Sequence, residues 1–477
     1  MNRAWLLILM QHALLMPACL LAIIGQAHAQ QAVLNGNVID LPVVTLGAQS
    51  YQVQLTIQDG TSPLEVLVTS AVELSNASAA GASSFVGNLL SIPSIAVAGV
   101  NYWASFSLLS ADPPRLVLTD AGELGAGSTV QNCTRPEPDL SNGPDSAQVV
   151  NGFVVPPADI VDGGPGPDGI PAINHPLFTS DFKLAGMQAE DLVIGVKIGE
   201  QVRAYPHRLM DYHEIVNDRF DIEGVSKDFT ISYCPLTGSA LLWKSFADSA
   251  NTTFGVSGLL YNSNLVLYDR ETGSLWSQML EQAINGPQAT RIPEKYQVLE
   301  TTWGNWLAMY PQTLVLMIEE TEFSFPYEFY PYGFYRSDNS VLYNVTDLSD
   351  NRLHRKERVL GITVGENSKV YPITNFASDV SVINDRVGNM DVVSVGSSSN
   401  NFGAVFNRQL EDCTVLDFSP IENQSPIVMV DNEGSQWDLF GVATSGPRAG
   451  TQLQKTNSFV AYWFAWAAFF PGAEIYP

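Results

Sequence analysis

The stretch Arg203–Ala240 holds His207 and His213, two of the four histidines beyond residue 29. It also holds Glu214, directly after one of them, and Cys234, one of the three cysteines beyond the same point. Imidazole, carboxylate and thiol are the groups from which thiol nucleophiles and soft metal sites are built. In one chemistry Cys234 is a nucleophile whose pKa is lowered by His213, with Glu214 or Asn217 orienting the imidazole, for acyl transfer or hydrolysis. The Gly238–Ser239 turn would then present backbone amides to an oxyanion. In the other, Cys234 and His213, with His207 or Glu214, ligate copper or zinc. The chain has neither a His-Glu-x-x-His nor a Cys-x-x-Cys spacing. A third reading makes the region a non-catalytic module in which Tyr205, Tyr233, Trp243, Trp276 and Trp303 line a groove for glycan or peptide. Asp218, Thr237 and Ser239 are the remaining supporting residues.

Secondary-structure cues say how these groups are held. Phe229–Tyr233 alternates strictly, and Pro235 stops the ladder, so Cys234 sits at a strand end and leaves the face of Phe229, Ile231 and Tyr233. Ile198-Gly199-Glu200 marks a hairpin between strands near 193–197 and 201–205. Leu209–Asn217 reads as a short helix that puts His213 and Asn217 on one face. Thr302–Tyr310, stopped by Pro311, reads as another.

The same spacing recurs downstream. Val193-Ile194-Gly195 through Tyr205-Pro206 returns as Val359-Leu360-Gly361 through Tyr371-Pro372, and Asn217-Asp218-Arg219 as Asn384-Asp385-Arg386. Trp276 then matches Trp437, and Trp306 with Pro311 matches Trp466 with Pro471. We read a tandem duplication, with a first module over 181–330 that carries the candidate site and a second, degenerate one over 331–477. The two modules form a pseudo-symmetric α+β pair. Asp379 or Val380 falls where His213 would be, and Ser397 near the place of Cys234, so the scaffold is present twice and the reactive set once.

Residues 30–126 read as an all-β domain of two 51-residue repeats, Pro42 and Tyr51 returning as Pro93 and Tyr102. Two such units suggest a sandwich or paired sheets, a docking module without reactive groups. Residues 127–180 are rich in Pro and Gly, giving either a linker or a loop that wraps the next domain with Asp162 and Asp168 near its site. The class is therefore mainly β with short helices.

Residues 1–29 have a basic start, a broken apolar run and Ala27-His28-Ala29, which we read as a signal peptide of an exported, periplasmic or extracellular protein. A lipoprotein reading through Cys19 fits less well. No later apolar run reaches the ~20 residues of a membrane span. A net charge of −26 excludes nucleic acid as a partner, since phosphates would be repelled. Cysteine parity outside the cytoplasm suggests a Cys133–Cys413 disulfide with Cys234 free.

The chain from about 160 to 475 resembles a bacterial family, domain of unknown function 3179. The likeness rests on Asp168-Gly169-Ile170-Pro171, Ala204-Tyr205-Pro206, His213 through Asp218, Tyr233 through Ala240, Phe254 through Leu259, and Leu275-Trp276-Ser277-Gln278. The resemblance implies no activity, because the family is named for lacking one. Some members carry Cys-Pro-Leu-Cys; Thr237 stands here in place of the second cysteine, against a two-cysteine redox or zinc mechanism.

Overall fold

The computed structural model describes residues 32–123, less 36, 47–48, 59–64, 75–82, 87–88, 98–99 and 112–113, and residues 149–477, less 151, 184, 223, 246–252 and 319–322. The chain divides into one unit of 1–135 with 408–454 and another of 136–407 with 455–477.

The N-terminal strands are β1 (Ala32–Asn35), β2 (Val38–Leu46), β3 (Gln49–Gln58), β4 (Glu65–Leu74), β5 (Ser83–Val86), β6 (Leu89–Val97), β7 (Val100–Ala111) and β8 (Pro114–Glu123). They form one eight-stranded sheet in the order β1-β2-β3-β4-β8-β7-β6-β5. Parallel pairings of β1 with β6 and β2 with β5 close it on itself, so the expected sandwich is instead a closed barrel. Alternation does the local work: Tyr51, Val53 and Leu55 are buried while Gln52 and Gln54 face water. Two register shifts fall at the prolines that the 51-residue spacing relates. The ladder shifts between Leu41 and Val44, around Pro42, and again between Ile92 and Ile95, around Pro93. A proline cannot donate to the ladder, and a bulge accommodates it.

In the second unit β9 (Ile160–Asp162) and β10 (Leu177–Thr179) precede β11 (Leu192–Ile198), β12 (Gln201–Pro206), α1 (His207–His213), β13 (Ile215–Ile222), β14 (Val225–Cys234) and β15 (Ser239–Lys244). Next come β16 (Phe254–Tyr261), β17 (Asn264–Asp269), β18 (Leu275–Ser277), β19 (Gln282–Asn285), β20 (Glu294–Tyr296), β21 (Leu299–Thr302), α2 (Trp303–Met309) and β22 (Leu314–Met317). Their sheets run β10-β22-β12-β11-β21, β13-β14-β15-β20 and β19-β18-β17-β16-β9. Residues 152–180 are thus ordered by pairing: β9 joins the β16 edge, and Asp168 binds Tyr268 and Arg270.

The element order then returns: β23 (Arg358–Val364), β24 (Asn367–Pro372), a 3-10 turn at Ile373–Asn375, β25 (Ser381–Val387), β26 (Met390–Ser397) and β27 (Phe402–Asn407). After these come β28 (Phe418–Pro420), β29 (Ile427–Asp431), β30 (Gln436–Asp438), β31 (Ala443–Ser445), β32 (Gln454–Lys455), β33 (Asn457–Tyr462), α3 (Trp463–Phe469) and β34 (Glu474–Ile475). The order β33-β23-β24-β34 reproduces β21-β11-β12-β22, and β28-β29-β30-β31 reproduces β16-β17-β18-β19. A glycine under a tryptophan sets each helix. A Cβ on Gly195 would lie 2.3 Å from Trp306, and one on Gly361 2.1 Å from Trp466. Among the described residues no helix is long and apolar enough to cross a membrane.

Candidate functional site

Where the sequence suggests one helix from Leu209 to Asn217, α1 ends at His213. Glu214 takes φ 57°, a left-handed conformation that a helix cannot continue through. The β-branched pair Ile215-Val216 then enters β13 and pairs with β14. Asn217 and Asp218 therefore alternate across a strand instead of sharing helix faces with His213 and Glu214.

The two strand residues are structural ties. Asn217 Oδ1 accepts from Phe254 N and Thr230 Oγ1, each at 3.0 Å, and its Nδ2 donates to the Phe254 carbonyl and Asn174 Oδ1, each at 2.8 Å. Asp218 accepts from the Tyr205 hydroxyl at 2.5 Å and pairs with Arg203. Thr237 and Ser239 belong to a buried hydrogen-bond layer. Asn264 Nδ2 donates to Thr237 Oγ1 (2.9 Å) and Gln278 Oε1 (2.7 Å), while Ser239 Oγ donates to the same Gln278 oxygen (2.8 Å). Gln278 Nε2 lies 3.1 Å from Ser232 Oγ, and the layer is closed within itself. Trp276 Nε1 donates to Asp269 at 3.0 Å.

His213 and Cys234 face different partners. The imidazole places Nδ1 2.8 Å from the Pro171 carbonyl and Nε2 2.7 Å from the Tyr327 hydroxyl, so both nitrogens are engaged. Burial, opposed by the Pro171 carbonyl, lowers its pKa. The Cys234 thiol lies 3.8 Å from the Ser263 carbonyl in the buried cluster with Leu236, Leu265 and Tyr462. Burial first, then the charge of Glu214, pushes it up to about 11, so the thiol is protonated. His207 is held apart: Nε2 lies 3.1 Å from Glu300 Oε2, off the line of a hydrogen bond, and Glu300 also pairs with Arg358. Burial, opposed by Glu300, lowers His207 to about 4. The metal reading on Cys234, His213 and His207 therefore has no common ligand point. Among the described residues no group of three or more His, Cys, Asp and Glu side chains is arranged to hold a metal ion.

The carboxyl groups are what burial changes most. Glu214 is pushed up to about 8 by burial and then by Asp211, with no cationic side chain opposing the shift. Asp211 rises to about 7 through burial, against the pull of Arg336 at 2.5 Å. Of these two acids, Glu214 acts on the Cys234 thiol, and Asp211 acts on Glu214.

Residues 327–346, without strand or helix, strap across this centre. Tyr327 binds His213, Arg336 binds Asp211, and the Tyr330 and Tyr335 hydroxyls donate to the carbonyls of Pro235 (3.1 Å) and Leu236 (3.0 Å). Ser263 Oγ donates to the Tyr343 carbonyl at 2.9 Å, and Thr346 N to Asn262 Oδ1 at 2.8 Å. Burial, followed by Glu214 and Cys234, raises Tyr332. Sequence reading passed over Asp211, Arg336 and these tyrosines; the density of Tyr327, Tyr330, Tyr332 and Tyr335 was the available signal. The aromatic groove does not form, because Tyr205, Tyr233, Trp243, Trp276 and Trp303 are all buried in the core. Cys413 is disulfide-bonded, and Cys133 lies outside the described residues.

A family described as protein of unknown function (DUF3179) matches residues 167–473, and the chain belongs to it. Among curated proteins and solved structures, nothing matches the chain.

Proposed function

We propose that this chain is an exported member of its family whose first module does thiol chemistry at Cys234, with Glu214, in place of His213, as the proton-transfer partner. The observation that carries the proposal is Glu214 itself. It is a buried carboxyl with no cationic partner among the described residues, on a left-handed backbone, and its charge acts on Cys234, the one free cysteine among those residues. A fold gains nothing from such an arrangement, since an uncompensated buried acid and a non-glycine residue at positive φ both reduce stability. In the strapped state the thiol and the acid are both protonated. Reaction begins when ionised Glu214 takes the thiol proton; the thiolate attacks an acyl carbon, the bond from that carbon to its leaving group breaks, Glu214 returns the proton to the departing group, and water then hydrolyses the thioester. We propose further that the two modules, 181–330 and 331–477, descend from one and superpose, with the second having lost the centre.

Alkylation of the native protein by iodoacetamide, followed by mass spectrometry, tests this. Cys234 should label in the folded state, with an inflection near pH 8 on top of the general rise of thiolate with pH, and Glu214→Gln should remove that inflection. Labelling only on unfolding, or an identical pH profile in the variant, would leave Cys234 as a buried apolar side chain.

A further inference from the structure

The second unit also contains a cleft of about 900 Å³. That size suits a small organic ligand. Its polar lining includes Asp168, Asn174, His175, Arg219, Asp228 and Arg270, residues far apart in sequence that β13, β14, the 168–175 loop and the turn after β17 bring together. None of them takes part in the chemistry proposed for Cys234.

We propose that this cleft binds a zwitterion of the amino-acid or short-peptide class. Each guanidinium in it sits beside a carboxylate: Arg270 Nη2 is 2.6 Å from Asp168 Oδ1, and Arg219 Nε is 2.7 Å from Asp228 Oδ1. In both pairs more than a quarter of each side chain is still exposed, at 27% and 41% for the first and 57% and 29% for the second. The cleft therefore offers a ligand anchoring points of both signs, which match an ammonium and a carboxylate carried on one small molecule. With Asp218 added, the lining has three carboxylates against two guanidiniums, which disfavours a simple anion. His175 is exposed and makes no hydrogen bond with the described residues, so it adds a free donor or acceptor. A saccharide fits worse. Sugars bind on aromatic faces, and the one aromatic ring in the lining, Phe229, is fully buried. The site is also stiff. Asn174 accepts from both Asn217 Nδ2 and Arg270 Nη1, which locks the loop to the strands before any ligand arrives.

Isothermal titration of the full chain with alanyl-alanine at low salt tests the assignment. Saturable binding is expected, weakened ~10-fold when the amine is acetylated and ~10-fold when the carboxyl is methylated, as for loss of one charge-assisted contact. Arg270→Met should weaken binding by ~10-fold or more. Because Arg270 also binds the Phe254 carbonyl, Arg219→Ala serves as a second variant with an exposed side chain and the same expectation. Absence of heat with the dipeptide, equal binding of the blocked forms, or saturable binding of maltose instead would each overturn the proposal. Cys234→Ser should leave the titration unchanged, so the cleft and the thiol centre stand or fall separately.

Discussion

The two element series, β11–β22 and β23–β34, use the same supports for different interiors. Tyrosine to aspartate recurs, at 2.5 Å for Tyr205–Asp218 and 2.9 Å for Tyr371–Asp385. So does tryptophan to aspartate, at 3.0 Å for Trp276–Asp269 and 2.9 Å for Trp437–Asp431. Around these constants the first series buries Asp211, His213, Glu214 and Cys234, and a layer of Thr237, Ser239, Asn264 and Gln278. The second has a 3-10 turn where α1 stands, buried Leu439 two positions past Trp437 where Gln278 follows Trp276, and Ser397 bonded to the Ser378 carbonyl. On the proposed descent of both series from one module, the polar interior is not needed for folding, and buried polar groups that a fold can do without point to function.

The shared supports should fail alike. Gly195→Ala and Gly361→Ala each drive a Cβ into a buried indole, and each should destabilise by about 3 kcal/mol in denaturant unfolding. A large loss in one and none in the other would break the equivalence. Exchange of the interiors comes next. Gln278→Leu puts the second series' residue into the first and strands Ser239, Asn264 and Ser232, at a cost of about 2.5 kcal/mol. A neutral result would mean that the layer is not the closed network it is taken to be.

Stability against pH sharpens the difference between the series. The folded pKa of Glu214 is raised from 4.5 to about 8, so its contribution is fully present below 4.5 and is lost as pH rises toward 8. Asp211 acts in the same direction up to about 7, while His207, lowered to about 4, loses its contribution as pH falls below 6.5. Subtracting the profiles of wild type and Glu214→Gln isolates the one acid. The variant should gain on the order of 2 kcal/mol on wild type across 4.5 to 8. A flat difference would mean that Glu214 is ionised and compensated. The smallest effect is expected for Cys234→Ser, below about 1 kcal/mol, because the second series holds Ser397 near the corresponding place.

Much of the frame was legible in the residues. Alternation located the β11–β12 hairpin and the end of β14 to within a residue, though β14 begins four residues earlier, at Val225, and Pro311 marked the end of α2. The strand that follows α1 was misread because the apolar spacing of Leu209–Val216 suits a helix as well as a strand. Only the left-handed backbone at Glu214 and pairing with β14 decide between them, and neither is a local property. The centre was half visible. Cys234 and Glu214 stood out by type, but His213 was chosen as partner on chain proximity, and its nitrogens are taken by Pro171 and Tyr327. Arg336 and Tyr327 lie more than a hundred residues from the groups they touch, and no spacing within one series could have indicated them.

The central claim is that Glu214 is neutral near physiological pH and becomes, on ionising at about 8, the base for the one free thiol among the described residues. Carbon-13 NMR of glutamate carboxyls, with the resonance assigned through Glu214→Gln, measures this directly. The account predicts a midpoint for Glu214 at about 8, moving downward when Asp211→Asn removes the neighbouring charge. A midpoint at or below the ordinary 4.5 would contradict it, and with it the assignment of Glu214 as the proton-transfer partner of Cys234.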